Sequence, residues 1–529
     1  MGNKVAIFDS SLRDGAQAEG ISFSVDDKLK ILELLDEHGV DYIEAGNPGS
    51  NPKDLEFFAR ARSIVLKHAR LAAFGSTRRR GIQAESDDNV QSMLLADTPV
   101  IVIFGKSWDF HVTDIIRTTL DENLNMISDT LAFFKARGKE VIYDAEHFFD
   151  GYKNNPDYAV KSLQAAVDGG ADCLVLCDTN GGTFPSEVAK IVKRMVAVFS
   201  VPIGIHAHND CGMAVANSVM AVENGARHVQ GTYIGFGERC GNANLSTIIA
   251  NLGVKANFDC LPADQYRNIT RVARHIAAIS NVALNERDPF VGNCAFAHKG
   301  GMHIDGVNKA AHSFEHINPD LVGGQRRFLM SEVSGRRMIL EKIWEVDASI
   351  TKDDAVTDSI IKRLKELEHE GYQFEGAEST FELVIRKQLG KYRPFFELGH
   401  FRIIGEHPAN GDYGSSAIIK VKVDGTDEIT AAEGDGPVHA LDRALRKALD
   451  KFYPELANVH LTDYKVRVIN GKDATAAKVR VLLQSTDGDA VWTTVGVSTD
   501  IIEASWIALV DSIEYKLLKL EEAKVAVAH

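Results

Sequence analysis

The stretch CLVLCDTNGGTFPSEVAKIVKRMVAVFSVPIGIHA, residues 173–207, decides the fold because it contains one complete repeating unit. It opens on an apolar run from Cys173 to Cys177 and continues through an amphipathic stretch of helical period from Pro185 to Phe199. It closes on a second apolar run, Ile203 to Ala207. Short apolar strands that alternate with helices are typical of a parallel sheet whose outer face is covered by helices. The stretch therefore predicts a strand-helix-strand unit.

The same unit recurs through the first 240 residues, at a spacing of about 30 residues. Its apolar runs are Val5 to Asp9, Tyr42 to Ala45, Leu71 to Gly75, Val100 to Phe104, Val141 to Ala145, Cys173 to Cys177, Ile203 to Ala207 and Val229 to Ile234. Eight successive units are the number in a TIM (β/α)8 barrel. A doubly wound open sheet is the alternative, but the first strand-to-helix turn lacks the GxGxxG phosphate loop. The sequence favours the barrel.

The pattern changes twice beyond the barrel. Helical periodicity dominates from about Leu261 to Gly371, and from about Gly376 a pair of strands is followed by one helix, twice over. The helical segments ALDRAL and ASWIAL align about 64 residues apart. We therefore predict a barrel over residues 1–260, a helical linker region over 261–375 and a duplicated α+β regulatory or dimerisation domain over 376–529. An unrelated α+β appendage is the alternative for the last region.

Composition excludes several classes of protein. The 529 residues are 45% hydrophobic and 25% charged, as in a folded protein of several domains. The net charge of −15 argues against nucleic-acid or membrane binding, so any polyanion must meet a local basic patch. Six cysteines without a CxxC pair, and no apolar leader at the N-terminus, indicate a cytoplasmic protein. No apolar run approaches the length of a membrane span.

The motif GIHAHND, residues 204–210, carries the strongest chemical signal. The alternation of a strand puts His206 and His208 on one face, about 7 Å apart along the strand. A single histidine on a strand is more often a core residue, but this pair lies at the strand end where barrel enzymes place their reactive groups. Asp14 follows the first strand, which adjoins the eighth in a closed barrel. These residues predict a catalytic divalent metal site for Mg, Mn, Zn or Co.

Three more charged residues lie at strand ends. Arg13, beside Asp14, is predicted to stabilise charge on a substrate oxygen, with a simple ion pair as the alternative. Glu146 shares its strand face with Asp144 and is predicted to point toward the mouth of the barrel. For Glu146, metal ligation or a solvated position on the rim stays open beside a catalytic role.

Four motifs in this order resemble one known family. They are FDSSLRDGAQ at residues 8–17, GIHAHNDCGMAVANS at 204–218, GERCGNANL at 237–245 and HKGGMHIDGVNK at 298–309. They are similar to signatures of the Claisen-condensing barrel enzymes that include 2-isopropylmalate, homocitrate and citramalate synthases, and the resemblance covers nearly the whole chain. The segments LRDGAQAEGISFSVDDK, GSNPKD, FGSTRR and HFFDGYKNNP look most like the long-chain citramalate synthase subgroup.

The resemblance implies a role for each matching residue. It implies metal ligation by Asp14, His206, His208 and Asn242, polarisation of a keto oxygen by Arg13, binding of the keto-acid carboxylate by Thr179, and catalysis by Glu146 and His303. Which of Glu146 and His303 removes the methyl proton of acetyl-CoA stays open, and His303 is expected to act from a neighbouring subunit. The resemblance further implies acetyl-CoA and pyruvate as substrates, isoleucine biosynthesis as the pathway, a homodimer, and isoleucine as effector of the C-terminal domain.

The expected substrate depends on the pocket. Ser76, Phe104 and Asp144 are predicted to surround the side chain of the 2-oxo acid. Because Phe104 is bulky and Asp144 is polar, the methyl group of pyruvate should fit better than an isopropyl group. A 2-isopropylmalate or homocitrate synthase that uses a larger 2-oxo acid is the alternative.

Some positions depart from the pattern of the family. Ser10, Ser11 and Ala16 stand where the first signature more often has two threonines and a glutamate. Asn47 stands where the subgroup usually has an aromatic residue, and we expect it to alter the pocket.

Other functions for this barrel are less well supported. A hydroxymethylglutaryl-CoA lyase usually ends soon after the barrel, and a biotin-dependent carboxyltransferase would need a biotinyl-lysine segment that the sequence lacks. A metal-binding sensor without catalysis would not need Arg13 and Glu146 beside the metal residues.

Overall fold

A computed structural model describes residues 3–49, 51–328, 336–351, 354–374, 376–406, 414–469, 477–488 and 490–527. The chain forms two compact units, Met1–Ala297 with Glu315–Arg326, and His298–Phe314 with Arg327–His529. The division into domains 1–260, 261–375 and 376–529 stays a prediction.

Eight parallel strands form a closed barrel in which β1 pairs with both β2 and β8. The strands are β1 Ala6–Asp9, β2 Tyr42–Glu44, β3 Arg70–Ser76, β4 Val100–Lys106, β5 Glu140–Glu146, β6 Cys173–Asp178, β7 Ile203–Ala207 and β8 His228–Gly231. The predicted TIM barrel is confirmed. The predicted eighth strand was too long, since Thr232 leaves the ladder and exchanges backbone hydrogen bonds with Ala243 and Leu245 instead.

Ten helices follow the strands of this unit. They are α1 Val25–His38, α2 Pro52–Ala61, α3 Asp88–Ala96, α4 Leu120–Lys135, α5 Phe148–Asn154, α6 Pro156–Asp168, α7 Pro185–Val198, α8 Ala214–Glu223, α9 Leu245–Ile249 and α10 Ile269–Ile279. The first shows how the sequence sets their limits. Ser24 and Asp27 form a capping box at its start, and Gly39 ends it at a φ of 86°. None of the helices in the described ranges combines the length and the apolar content that crossing a bilayer requires.

Apolar side chains fill the inside of the barrel. Val100, Val102, Ile142 and Val175 belong to one fully buried cluster enclosed by the strands. The alternate strand residues, such as Ile101, pack in the larger core between strands and helices. Because the interior is packed, open space is left at the ends of the strands.

Among the described residues, two short strands and four helices follow the barrel. They are β9 Ala297–His298, α11 Gly301–Lys309, β10 Arg327–Phe328, α12 Arg336–Val346, α13 Ala355–Glu370 and α14 Glu378–Gln388. The helical character predicted for this region is confirmed, although the two-residue strands β9 and β10 were not expected. Ile343, Ile360 and Leu364 belong to its own apolar cluster, which is separate from the barrel core.

The C-terminal region contains the same arrangement twice. Each half is a three-stranded antiparallel sheet followed by one helix: β11 Glu397–Glu406, β12 Gly414–Val423, β13 Thr426–Gly434 and α15 Pro437–Leu449, then β14 His460–Val468, β15 Val479–Thr486, β16 Val491–Ser498 and α16 Ile501–Val527. The Thr430 hydroxyl donates to the Ala444 carbonyl at 2.7 Å, and the Thr494 hydroxyl donates to the Ala508 carbonyl at 2.7 Å. Both residues of the second bond lie 64 positions after those of the first, so the predicted duplication is confirmed.

The prediction of two strands in each half was wrong, because each half has three. The strands that were missed, β11 and β14, lie at the edges of their sheets. Most residues of β14 are exposed. Its apolar residues Tyr464, Val466 and Val468 still alternate with polar ones, so the strand signal was present in the sequence and was missed.

Candidate active site

A cavity of about 250 Å³ opens at the carboxyl ends of the barrel strands, and we call it the central cavity. It is lined by Arg13, Asp14, Gln17, Phe74, Phe104, Asp144, Glu146, Cys177, Thr179, His206, His208, Glu238 and Arg239. Eight of the ten predicted site residues therefore line one cavity. Closure of the barrel brings these residues together. They come from the first, fourth, fifth, sixth and seventh strands or the segments that directly follow them.

The predicted metal residues lie together at the floor of this cavity. Nε2 of His206 lies 3.2 Å from Nε2 of His208, while Asp14 Oδ2 lies 3.6 Å from the first and 4.0 Å from the second. Asn242 Nδ2 donates to Asp14 Oδ1 at 3.0 Å, and the buried Asn242 Oδ1 finds no hydrogen-bond partner among the described residues. Two imidazole nitrogens, a carboxylate and an amide oxygen form a ligand set suited to a divalent metal.

The hydrogen bonds of His206 fix which nitrogen faces the other ligands. Gln230 donates through Nε2 to Asp144 at 3.0 Å, which leaves its Oε1 to accept a proton from His206 Nδ1 at 2.9 Å. The Nε2 atom of His206 is then free of a proton when the ring is neutral. Burial, together with the charge of a protonated His208, lowers the pKa of His206 to about 4, so the ring is neutral near pH 7. This tautomer is the one that binds a metal through Nε2.

Arg13 is held from three sides. Its Nε atom donates to Glu44 at 2.6 Å, its Nη1 atom donates to Asp14 at 3.1 Å, and its guanidinium lies 3.8 Å from the centre of the Phe74 ring. Arg13 therefore forms ion pairs, which was the alternative expectation, and also lines the central cavity. Burial opposes ionisation of Asp14, but the charges of Arg13 and the histidines outweigh it and lower its pKa.

Glu44 was not predicted as a site residue. It is completely buried at the end of the second strand and accepts from both Arg13 and Ser10. The sequence did contain a signal that could have identified Glu44. It is a carboxylate inside an otherwise apolar run, Tyr-Ile-Glu-Ala at residues 42–45, and a buried carboxylate requires a partner.

Glu146 lies at the end of the fifth strand and forms an ion pair with Lys106 at the end of the fourth. Its side chain is 24% exposed, so it borders both the protein and the open cavity. Lys106 was also missed, although it follows Phe104 by two positions and therefore lies on the same strand face. Thr179 accepts the backbone N–H of His147 at 2.9 Å, which holds its hydroxyl at the cavity wall.

The predicted pocket for the substrate side chain is only partly as expected. Phe104 stacks on Phe74 with ring centres 5.1 Å apart, and Asp144 is buried beside Gln230. Burial raises the pKa of Asp144 well above its usual value, and nearby Glu44 adds to this shift. Ser76, in contrast, lines a neighbouring cavity and not the central one. The Ser76 hydroxyl accepts from Asn89 Nδ2 at 3.1 Å, which holds it toward α3.

Asn47 does not line the central cavity either. Its backbone N–H donates to Asp54 at 3.0 Å, and its Oδ1 atom accepts the backbone N–H of Gly49 at 3.0 Å. The residue therefore belongs to the turn before α2, and the expected effect on the pocket has no support in this arrangement.

His303 lies in the second compact unit, on α11. Its ring stacks on that of Phe314 with centres 4.5 Å apart, and its side chain is exposed. The assignment of His303 to catalysis stays a prediction.

Three family models match the chain in sequence order. The HMGL-like model matches residues 4–276, the model "homocitrate synthase post-HMGL domain-like" matches 290–372, and the LeuA allosteric (dimerisation) domain matches 375–517. The first model alone covers about half of the chain.

Curated relatives match over almost the full length. An (R)-citramalate synthase of Aquifex aeolicus is 51% identical over 524 residues, 99% of either chain, and one of Geobacter sulfurreducens is 51% identical over 519 residues, 98% of either chain. The chain belongs to the family of 2-isopropylmalate, homocitrate and citramalate synthases. As a member of this synthase family, it is an enzyme of the acyltransferase type. A probable 2-isopropylmalate synthase of Methanopyrus kandleri is more distant, with 32% identity over 510 residues, 96% of this chain and 98% of the relative.

Proposed function

We propose that this enzyme forms (R)-citramalate from acetyl-CoA and pyruvate, with hydrolysis of the thioester. The observation that carries the proposal is the 51% identity to (R)-citramalate synthases over nearly the full chain, against 32% to the 2-isopropylmalate synthase. The central cavity adds support, since its volume of about 250 Å³ suits a small 2-oxo acid.

The residues of the cavity divide the chemistry among them. A divalent metal ion held by Asp14, His206, His208 and Asn242 would supply Lewis-acid polarisation of the 2-oxo acid. Arg13, fixed by Glu44 and Phe74, is placed to stabilise negative charge that develops on the keto oxygen. Thr179 would hold the carboxylate of the 2-oxo acid through its hydroxyl group.

A base must take one proton from the methyl group of acetyl-CoA. Glu146, which lines the cavity, and His303, on α11, are the two candidates. The methyl carbon then forms a bond to the keto carbon of pyruvate, whose oxygen becomes an alkoxide and takes up a proton. Water next cleaves the thioester, which releases CoA as the thiol and leaves a carboxylate on the product.

The proposal is tested by measuring thiol release from acetyl-CoA with pyruvate, 2-oxobutyrate, 2-oxoisovalerate and 2-oxoglutarate, followed by identification of the product. We expect kcat/KM for pyruvate to exceed that for 2-oxobutyrate about tenfold or more, and that for 2-oxoisovalerate by a larger factor. Equal or better kcat/KM with 2-oxoisovalerate would assign the enzyme to 2-isopropylmalate synthesis, and activity with 2-oxoglutarate alone would assign it to homocitrate synthesis.

We further propose that the enzyme is a cytoplasmic homodimer in isoleucine biosynthesis and that its C-terminal region binds isoleucine. The match to the LeuA allosteric (dimerisation) domain over residues 375–517 supports this role. The same assay with isoleucine, leucine and valine tests the effector, and sedimentation tests the dimer. If isoleucine, leucine and valine all leave the activity unchanged, the C-terminal region does not have this regulatory role.

A further inference from the structure

A second cavity, of about 710 Å³, lies beside the central one, and we call it the basic cavity. Its lining includes five cationic side chains, Arg78, Arg79, Arg80, Lys106 and Arg117, and no carboxylate. The chain as a whole has a net charge of −15. A concentration of positive charge on such an acidic protein is the local basic patch that a polyanionic ligand requires.

Two of the five cations have no acidic partner among the described residues. Arg78 pairs with Glu122 and Asp129, Arg79 pairs with Asp87 and Asp88, and Lys106 pairs with Glu146. Within the described part of the chain, the guanidinium groups of Arg80 and Arg117 form no ion pair with a carboxylate. Both side chains are exposed to solvent. They are therefore available to an external anion.

The backbone holds these two residues at the same cavity. Arg80 donates from Nη1 to the backbone carbonyl of Arg117. Arg117 itself has a φ of 54°, a left-handed conformation that is unfavourable for a residue with a side chain. The Arg80 side chain is thus held against the backbone of Arg117.

The basic cavity adjoins the proposed site of reaction. Phe104 lines both cavities, and Lys106 of the basic cavity forms an ion pair with Glu146 of the central one. The central cavity, at about 250 Å³, has no room for a whole acyl-CoA molecule beside a 2-oxo acid. The remainder of the thioester substrate must therefore extend outward, and the basic cavity adjoins Glu146 through its ion-pair partner Lys106.

We infer that Arg80 and Arg117 bind the phosphate groups at the nucleotide end of the acyl-CoA substrate, which rests on the proposed function. The 3′-phosphate and the diphosphate of CoA supply several negative charges to match unpaired guanidinium groups. In this arrangement the two arginines contribute to substrate affinity and not to the chemical step.

The test compares full-length wild type with Arg80→Gln, Arg117→Gln and Arg117→Lys in steady-state assays at saturating pyruvate. Each glutamine variant should raise KM for acetyl-CoA about tenfold, the usual value of one charge-assisted hydrogen bond, and leave kcat within about twofold. KM for S-acetylpantetheine, which lacks the nucleotide, should not change. Arg117→Lys should retain most of the affinity because it keeps the charge.

Arg62→Gln is the matched control. Arg62 is exposed and directly follows the last residue of α2. It lies at the opposite end of the barrel from the mouth, because the outer helices run antiparallel to the strands. The substitution removes the same charge and should leave KM for acetyl-CoA unchanged.

Equilibrium binding of CoA, 3′-dephospho-CoA and inorganic phosphate separates this inference from the proposed function. If the wild type releases no thiol with pyruvate, the proposed function is overturned. If the glutamine variants of that enzyme nevertheless bind CoA more weakly, the assignment of Arg80 and Arg117 to CoA binding is supported. If the enzyme turns over normally and both glutamine variants bind CoA as the wild type does, the assignment of Arg80 and Arg117 is overturned and the proposed function is not. Phosphate that binds as tightly as CoA would overturn the nucleotide assignment, as would equal rises in KM for acetyl-CoA and S-acetylpantetheine.

Discussion

The two cavities at the mouth of the barrel differ in how their charged groups are satisfied. In the central cavity, Arg13 contacts two carboxylates and an aromatic ring, and the two histidines face each other at 3.2 Å. In the basic cavity, Arg80 and Arg117 are exposed and have no ion pair with a described carboxylate. Groups that hold one another in fixed positions suit the stabilisation of a transition state, whereas solvated cations suit the capture of a charged ligand. Phe104 separates the two environments.

The largest effect should come from the metal residues of the central cavity. Asp14→Asn and His208→Ala should each lower kcat by about a thousandfold or more while the protein stays folded by circular dichroism, because each removes a ligand and its charge or electron pair. The measurement is turnover after chelation and readdition of divalent metals. His68→Ala, at an exposed site, is the control. Near wild-type turnover in either ligand variant would show that the ligands are wrongly assigned.

A smaller loss is expected for Glu146→Gln, which keeps size and hydrogen bonding but removes the base. The value of kcat should fall on the order of a hundredfold, with a lesser change in KM for pyruvate. Separate determination of kcat and KM tests this, and the exposed Glu85→Gln provides the matched control. If KM alone changes, Glu146 binds substrate and does not take part in the chemistry.

The smallest effect concerns the wall between the cavities. Phe104→Ala should widen the central cavity and reduce the preference for pyruvate over 2-oxobutyrate by about tenfold, the usual value of one methylene group. The ratio of the two kcat/KM values is the measurement, since it does not depend on the amount of folded enzyme. The exposed Phe184→Ala should leave that ratio unchanged. An unaltered ratio for Phe104→Ala would remove Phe104 from substrate selection.

The kind of sequence signal decided which elements were predicted. All eight barrel strands were predicted, because each is a continuous apolar run that is buried on both faces. The edge strands β11 and β14 were missed, since their apolar residues, such as Tyr464, Val466 and Val468, are separated by polar ones and form no continuous run. Glu44 and Gln230 were missed for a different reason: their importance lies in contacts with Arg13 and His206, which belong to other strands.

The sequence by itself determined the barrel, the duplicated C-terminal region and the residue types of the metal site, since periodicity and strand-end motifs are local properties. Only the tertiary structure decided which side chains share a cavity. Asp14 and His206 are 192 positions apart, yet closure of the barrel brings their ligand atoms to 3.6 Å. It also placed Ser76 in the basic cavity and Asn47 in a turn. Proximity across strands depends on register and on the direction of each side chain, and no single segment of sequence contains both.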